Sequence, residues 1–224
     1  MTTWPPFGNS LLTLKNKTAG VIIMRAFPPS CLLFLSLFVL TPSSALSDIE
    51  KVSDTRDKSY SVSLYGGALT DDDWHKSVTG QADFVNSHLV VAAAGWTFWR
   101  EPENLFSLGL ESNVAKHFGN QEHWEFNLPV LTTSWNKFPW QDTVEQSLGF
   151  GIGPSMATKL PKTEEELHGS TECLMLYWHM ETTFSLPESP WSLLFRLHHR
   201  SNAYGLFGDE GGSNALTTGL RYRF

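Results

Sequence analysis

The chain has 224 residues, 41% of them hydrophobic and 17% charged, with 23 acidic residues against 16 basic and a formal net charge of −7. Phosphate binding needs concentrated positive charge, so this balance excludes nucleic acid as a partner. The sequence contains no phosphate-cradling glycine loop, zinc-ligand spacing or internal repeat, and its pattern calls for no metal or cofactor.

Residues 1–45 read as an N-terminal extension and cleaved signal peptide. Met24-Arg25, the apolar run CLLFLSLFVL (31–40) and TPSSA give a basic flank, a short hydrophobic segment and a small-residue cleavage site ending at Ala45. The run is too short to cross a bilayer as a helix. Residues 1–23 are either a long basic flank or an upstream start ahead of Met24. Cleavage leaves one domain, 46–224, of 179 residues, with 13 basic against 23 acidic residues and a net charge of −10. It also removes Cys31 and leaves Cys173, so no intrachain disulfide is expected.

Beyond residue 45 no stretch approaches the twenty apolar residues of a membrane helix, but a barrel crosses with strands whose hydropathy alternates. Eight strands are predicted between turn-rich breaks, at about 59–69, 83–99, 104–117, 122–134, 144–157, 172–186, 190–202 and 213–224. Successive strand side chains point to opposite faces, so each segment sorts into two sets. The first sets Tyr60, Val62 and Leu64 against serines, and the third sets Phe106, Leu108, Leu110 and Val114 against Ser107, Gly109, Glu111 and Asn113. In the fourth, Trp124, Phe126, Leu128 and Val130 oppose Glu125 and Asn127. The fifth sets Leu148, Phe150, Ile152 and Met156 against glycines, which suit a narrow interior. The sixth opposes Leu174, Leu176, Trp178, Met180 and Phe184 to Tyr177, His179, Glu181 and Thr183, and the last opposes Leu216, Leu220, Tyr222 and Phe224 to Arg221 and Arg223. Only the second strand is apolar on both faces. The fold class is therefore all-β, an eight-stranded antiparallel transmembrane β-barrel, with a soluble β-sandwich as the alternative.

Short breaks at 100–104, 136–142 and 187–190 alternate with longer polar ones at 70–82 and 159–171. Outer-membrane barrels keep short turns in the periplasm and long loops outside, so both mature termini are placed on the periplasmic side. Trp96, Phe98, Trp99, Trp135, Phe138 and Trp140 cluster near strand ends, as interfacial girdles require. The acidic runs 71–73 and 164–166 read as solvated loop tips. His179 and Glu181 read as lumen partners of Arg196, Arg221 or Arg223.

His199 and Ser201 stand two residues apart in the seventh strand, so they share a face about 7 Å apart along it. Trp191, Leu193, Phe195 and Leu197 have the same parity, which makes that face the lipid face, while His198 and Arg200 point inward. The strand starts at a periplasmic turn, so the pair comes at its outer end, at the depth of the outer leaflet. A polar dyad there is costly unless it acts on something, and what it meets is lipid.

The stretch HRSNA (199–203), followed by an aromatic-alternating last strand, resembles the His-x-Ser-Asn motif of the lipid A 3-O-deacylases, the PagL family; GFGIGPS (149–155) and the strand count are weakly similar as well. That resemblance implies hydrolysis of the ester-linked 3-hydroxyacyl chain of lipid A in the bacterial outer membrane, with Ser201 as nucleophile, His199 as general base and no cofactor. Asn202, with the backbone N–H groups of Ala203 to Gly205, is expected to help hold the oxyanion. The family's third member is a Glu near the start of the last strand. Here that place falls near Asn214, and the nearest carboxylates are Asp209 and Glu210, so the role of orienting His199 is divided between Glu210 and Asn214. The expected partners are lipid A or lipopolysaccharide and outer-membrane lipids, with room left for a homodimer. A non-catalytic small barrel, adhesin or structural, and a lipid A acyltransferase are the alternative functions.

Overall fold

In the computed structural model, residues 58–208 and 210–224 are described, and expectations for residues 1–57, including the signal segment and Cys31, lie outside the described residues, as does Asp209. Eight strands run in chain order as β1 (Tyr60–Thr70), β2 (Phe84–Arg100), β3 (Phe106–Gly119), β4 (Trp124–Trp135), β5 (Glu145–Ala157), β6 (Leu174–Ser185), β7 (Trp191–Ser201) and β8 (Gly212–Arg223). Each pairs antiparallel with its sequence neighbours, and β1 closes on β8 through partners such as Leu64 and Leu220, giving a closed barrel. Closure leaves no unpaired sheet edge, the condition for placing strands in hydrocarbon. A strand of about 9–11 residues crosses a bilayer, and β2, with 17, extends beyond it.

The barrel is inside out relative to a soluble sandwich. Leu64, Leu110, Leu131, Leu148, Phe195 and Leu220 are exposed on the outer wall, while Arg196, Arg200, Glu125, Glu181 and His198 are buried in the lumen. This is the transmembrane form of the fold. Trp96, Phe98, Trp99, Trp135, Trp140 and Trp191 ring the end of the barrel that carries the β2–β3, β4–β5 and β6–β7 turns, and Phe84, Phe118 and Trp124 the opposite end, all exposed.

The apolar inner face of β2 now has a reason. Leu89, Val91 and Ala93 point inward and pack with Tyr65, Leu69, Ala115, Leu194 and Ala215 in an apolar cluster against one side of the lumen. The other side is ionic. Arg196 is held by Glu111 (2.6 Å) and Glu181 (2.6 Å), and Arg221 by Glu181 (2.7 Å), so two guanidinium groups meet two carboxylates. Glu181 takes the lumen role expected of it. Glycines on β5 make room for this layer: a Cβ at Gly151 would run into the His179 ring, and one at Gly149 would come within 2.8 Å of Glu181 Cγ. Gly151→Leu is expected to lower stability by about 1–3 kcal/mol through overpacking, read as a lower urea midpoint of the refolded barrel with an unchanged slope.

Three expectations are corrected. Val130 faces the lumen and is fully buried, because the β4–β5 register shifts between Asn127 and Leu131. Pro129 has no N–H for the ladder, and the irregularity there reverses the parity beyond it. Glu164 is not a solvated tip: it is 1% exposed, and Arg200 and Ser213 bind it at 2.7 Å. The longer outer connections are also not plain loops. They carry two short helices, α1 (Trp74–Thr79) and α2 (Lys162–His168), closed by Gly80 and Gly169 in left-handed conformation. The outer β3–β4 connection, 120–123, is short.

Candidate active site

His199 and Ser201 close β7 on the outer wall with the parity expected from the sequence, and His198 and Arg200 are buried inside. Across the ladder His199 stands directly opposite Trp178 of β6 and Asn214 of β8. Side chains so paired have Cβ atoms about 4.5–5.5 Å apart, so the three form one row. The Trp178 ring centroid lies 4.2 Å from that of His199 at 38°. On the other flank, His199 Nδ1 and Asn214 Oδ1 are 2.6 Å apart.

The chemistry of that bond follows from a second one. Asn214 Nδ2 donates to the main-chain carbonyl of Asp72 at 2.8 Å, which turns Oδ1 toward the imidazole. An amide oxygen only accepts, so Nδ1–H is the donor and Nε2 carries the lone pair that a general base needs. The Asp72 carbonyl is held in turn by α1. Lys76 Nζ contacts Asp72 Oδ1 at 2.8 Å, and the Thr70 and Ser77 hydroxyls meet at 2.7 Å beneath the helix. The Lys76 ammonium holds the Asp72 carboxyl below its ordinary range through this hydrogen bond. Above the row, Trp74 meets Trp178 edge-on at 5.9 Å, and Phe150 stacks on Trp178 at 6.2 Å. The imidazole is thereby half-buried beneath an aromatic shelf that continues the apolar outer wall.

Ser201 Oγ accepts the N–H of Ala203 at 3.0 Å. Ala203, Tyr204 and Gly205 are all left-handed, with φ of 51°, 58° and 91°. Two consecutive non-glycine residues there mark a strained turn that the surrounding structure must hold. It is pinned by Leu206 N–H to Ala203 O (3.3 Å) and Phe207 N–H to Asn202 O (3.0 Å). Asn202 and Ala203 therefore lie immediately beside the serine, while Gly205 lies at the exposed tip of the turn.

The two candidates for orienting His199 separate clearly in space. Asn214 reaches it. Glu210 is exposed, and its Oε2 lies 3.6 Å from where a Cβ on Gly169 would stand, beside the end of α2. The left-handed pair Gly211 and Gly212 turns the chain into β8 between them, so Asn214 enters the ladder opposite His199 while Glu210 stays outside it. Trp178, Trp74 and the Asp72 carbonyl were missed as site groups. Reflecting His199 through the middle of the PESP turn lands on Trp178, so hairpin register could have found that residue; nothing local marks Asp72. A cavity of about 740 Å3, lined by Glu111, His179, Glu181 and Arg223 among others, opens at the end of the lumen that carries the β2–β3 and β6–β7 turns, and His199 does not line it.

No protein-family profile matches the chain, and none of the curated proteins does. Among solved structures it is similar to the crystal structure of the outer membrane enzyme PagL, at 16% identity over 73% of this chain and 99% of that one, with a TM-score of 0.46. It is also similar to the crystal structure of Neisserial surface protein A, at 13% identity over 74% of this chain and 96% of that one, with a TM-score of 0.43.

Proposed function

We propose that the barrel is a serine esterase of the bacterial outer membrane that removes the ester-linked 3-hydroxyacyl chain from lipid A. The hydrogen bond between His199 and Asn214 on the lipid-facing wall carries this assignment, because it leaves Nε2 free as a base on the face that His199 shares with Ser201, two positions on in β7. Ser201 Oγ attacks the ester carbonyl as His199 Nε2 takes its proton. The tetrahedral oxyanion meets the Ala203 N–H, released from Ser201 Oγ, together with Asn202. Collapse breaks the bond to the sugar oxygen, which leaves with the proton from His199. Water then adds to the acyl-enzyme with His199 again as base, releasing the hydroxy acid and restoring Ser201. The aromatic shelf of Trp178, Trp74 and Phe150 offers apolar surface to the acyl chain.

An Asn at the third position orients the imidazole without charge, as in Cys-His-Asn hydrolases. Asn214→Ala is expected to cost about 10²- to 10⁴-fold in turnover, since the tautomer is no longer imposed; Glu210→Ala is expected to leave turnover unchanged. Release of 3-hydroxy acid from lipid A by each refolded variant checks both. The reverse ranking would give the orienting role to Glu210. An unchanged lipid A mass spectrum in a host expressing well-folded wild-type chain would favour a structural barrel, and an added acyl chain would favour transfer.

A further inference from the structure

A second cluster lies inside the outer end of the barrel, apart from the lipid-facing pair. His117 at the end of β3, His123 in the 120–123 turn and Glu125 at the start of β4 each offer a ligand atom, and these atoms lie within 4.8 Å of one another. All three residues are at most 3% exposed. His117 Nε2 meets Glu125 Oε2 at 2.8 Å, and its other nitrogen, Nδ1, accepts from Gln121 Nε2 at 3.0 Å. In the neutral ring this places the proton on Nε2, toward Glu125, and the lone pair on Nδ1. Gln121 is itself tied to the cap, accepting the N–H of Thr163 in α2 at 3.3 Å.

The unsatisfied atoms of this cluster point to a cation. His123 Nε2, His198 Nδ1 and Asn127 Oδ1 are buried without hydrogen-bond partners. His198 Nε2 is committed to Glu125 Oε1 at 2.8 Å, and Asn127 Nδ2 donates to the same oxygen at 2.7 Å, so what remains on each is a lone pair. Formal charge agrees. Arg200 is bound by Glu164 at 2.7 Å and lies 4.0 Å from Glu125, leaving two carboxylates to one guanidinium. A positive ion among His117, His123 and Glu125 would take up the free His123 nitrogen and offset the excess negative charge.

We propose that the β3–β4 hairpin binds a divalent transition-metal ion of the zinc class through His117, His123 and Glu125. Two imidazoles and a carboxylate are a donor set suited to zinc and its neighbours and leave a fourth position open. The His123 ring now stacks on His117 at 4.2 Å and 12°, so binding swings it out of that stack; for His117 to ligate through Nε2 as a neutral imidazole, its proton shifts to Nδ1 and the Gln121 amide turns to present Oε1 to it. The ligands follow the spacing His-x5-His-x-Glu, which belongs to no helical zinc motif because a hairpin, not a helix, brings them together. The ion would tie the short outer turn to the lumen beneath α2.

The test uses the untagged full chain, refolded in detergent and stripped of metal, at about pH 7.5 so that the ligands are deprotonated. Titration with Co2+ is expected to give visible ligand-field bands saturating at one ion per chain and displaced by Zn2+. His123→Phe, which keeps a ring stacked on His117, is expected to weaken binding by at least about tenfold, and Gln121→Ala by about tenfold. Absence of bands at millimolar Co2+, or unchanged binding in His123→Phe, overturns the proposal. Should His123→Phe not fold, pulsed electron paramagnetic resonance of Cu2+ bound to the wild-type chain counts coordinated imidazoles. Two are expected; none or one overturns the site. Ester hydrolysis enters none of these readouts, so the two assignments stand or fall separately.

Discussion

Lipid A from a host expressing the Ser201→Ala or His199→Ala chain is expected to keep its full mass, whereas the wild-type chain is expected to remove one 3-hydroxyacyl group. Removing the nucleophile or the base of a serine hydrolase costs about 10⁴- to 10⁶-fold in turnover, enough to abolish the change in mass. The strand ladder of the barrel needs neither side chain. Both point outward, and the strand hydrogen bonds of β7 come from backbone groups that alanine also provides. Heat-modifiable migration should therefore be that of the wild type. If either folded variant still removed the acyl chain, the hydrolytic role of this pair would be lost. Ser201→Cys is the informative companion, since a thiol keeps the geometry while altering nucleophilicity.

Arg196→Met is expected to destabilise the barrel by about 3–5 kcal/mol, the cost of stranding buried partners of a broken ion pair. Arg196 donates to Glu111 at 2.6 and 2.8 Å, to Glu181 at 3.0 and 2.6 Å and to the Tyr65 hydroxyl at 2.7 Å, and it is 2% exposed. Its guanidinium also lies 4.7 Å from the Tyr65 ring centroid. Once it is gone, Arg221 alone faces two carboxylates. Urea unfolding in lipid vesicles reads the loss as a lower midpoint. Adding Glu111→Gln to Arg196→Met should recover part of it by removing the excess charge, and a further loss of stability would contradict this account.

Much of the barrel was legible in the sequence for one physical reason. In a bilayer the two faces of each strand meet media of opposite polarity, so period-two alternation is imposed along the chain. Every predicted strand lies within two residues of its observed counterpart, as β5 (Glu145–Ala157) shows against 144–157. Failures came where a local rule met a tertiary one. Val130 was misplaced because Pro129 interrupts the ladder with its neighbour. Glu164 read as part of an acidic run, but α2 folds it over the barrel mouth onto Arg200. The inner face of β2 was ambiguous because its partners, Tyr65, Leu194 and Ala215, are supplied by three other strands.

The candidate site divides in the same way. That His199 and Ser201 share the lipid face at the outer end of a strand follows from parity and chain direction alone, which are local properties. Which group orients the histidine depends on how β8 meets β7, and that is decided by the turn through Gly211 and Gly212. The Asp72 carbonyl that sets the Asn214 amide lies 142 residues away in sequence. No local pattern encodes such a contact, because a main-chain carbonyl carries no residue identity. Alternation thus determined the membrane barrel and the address of the pair, while only closure of the barrel decided the tautomer of His199.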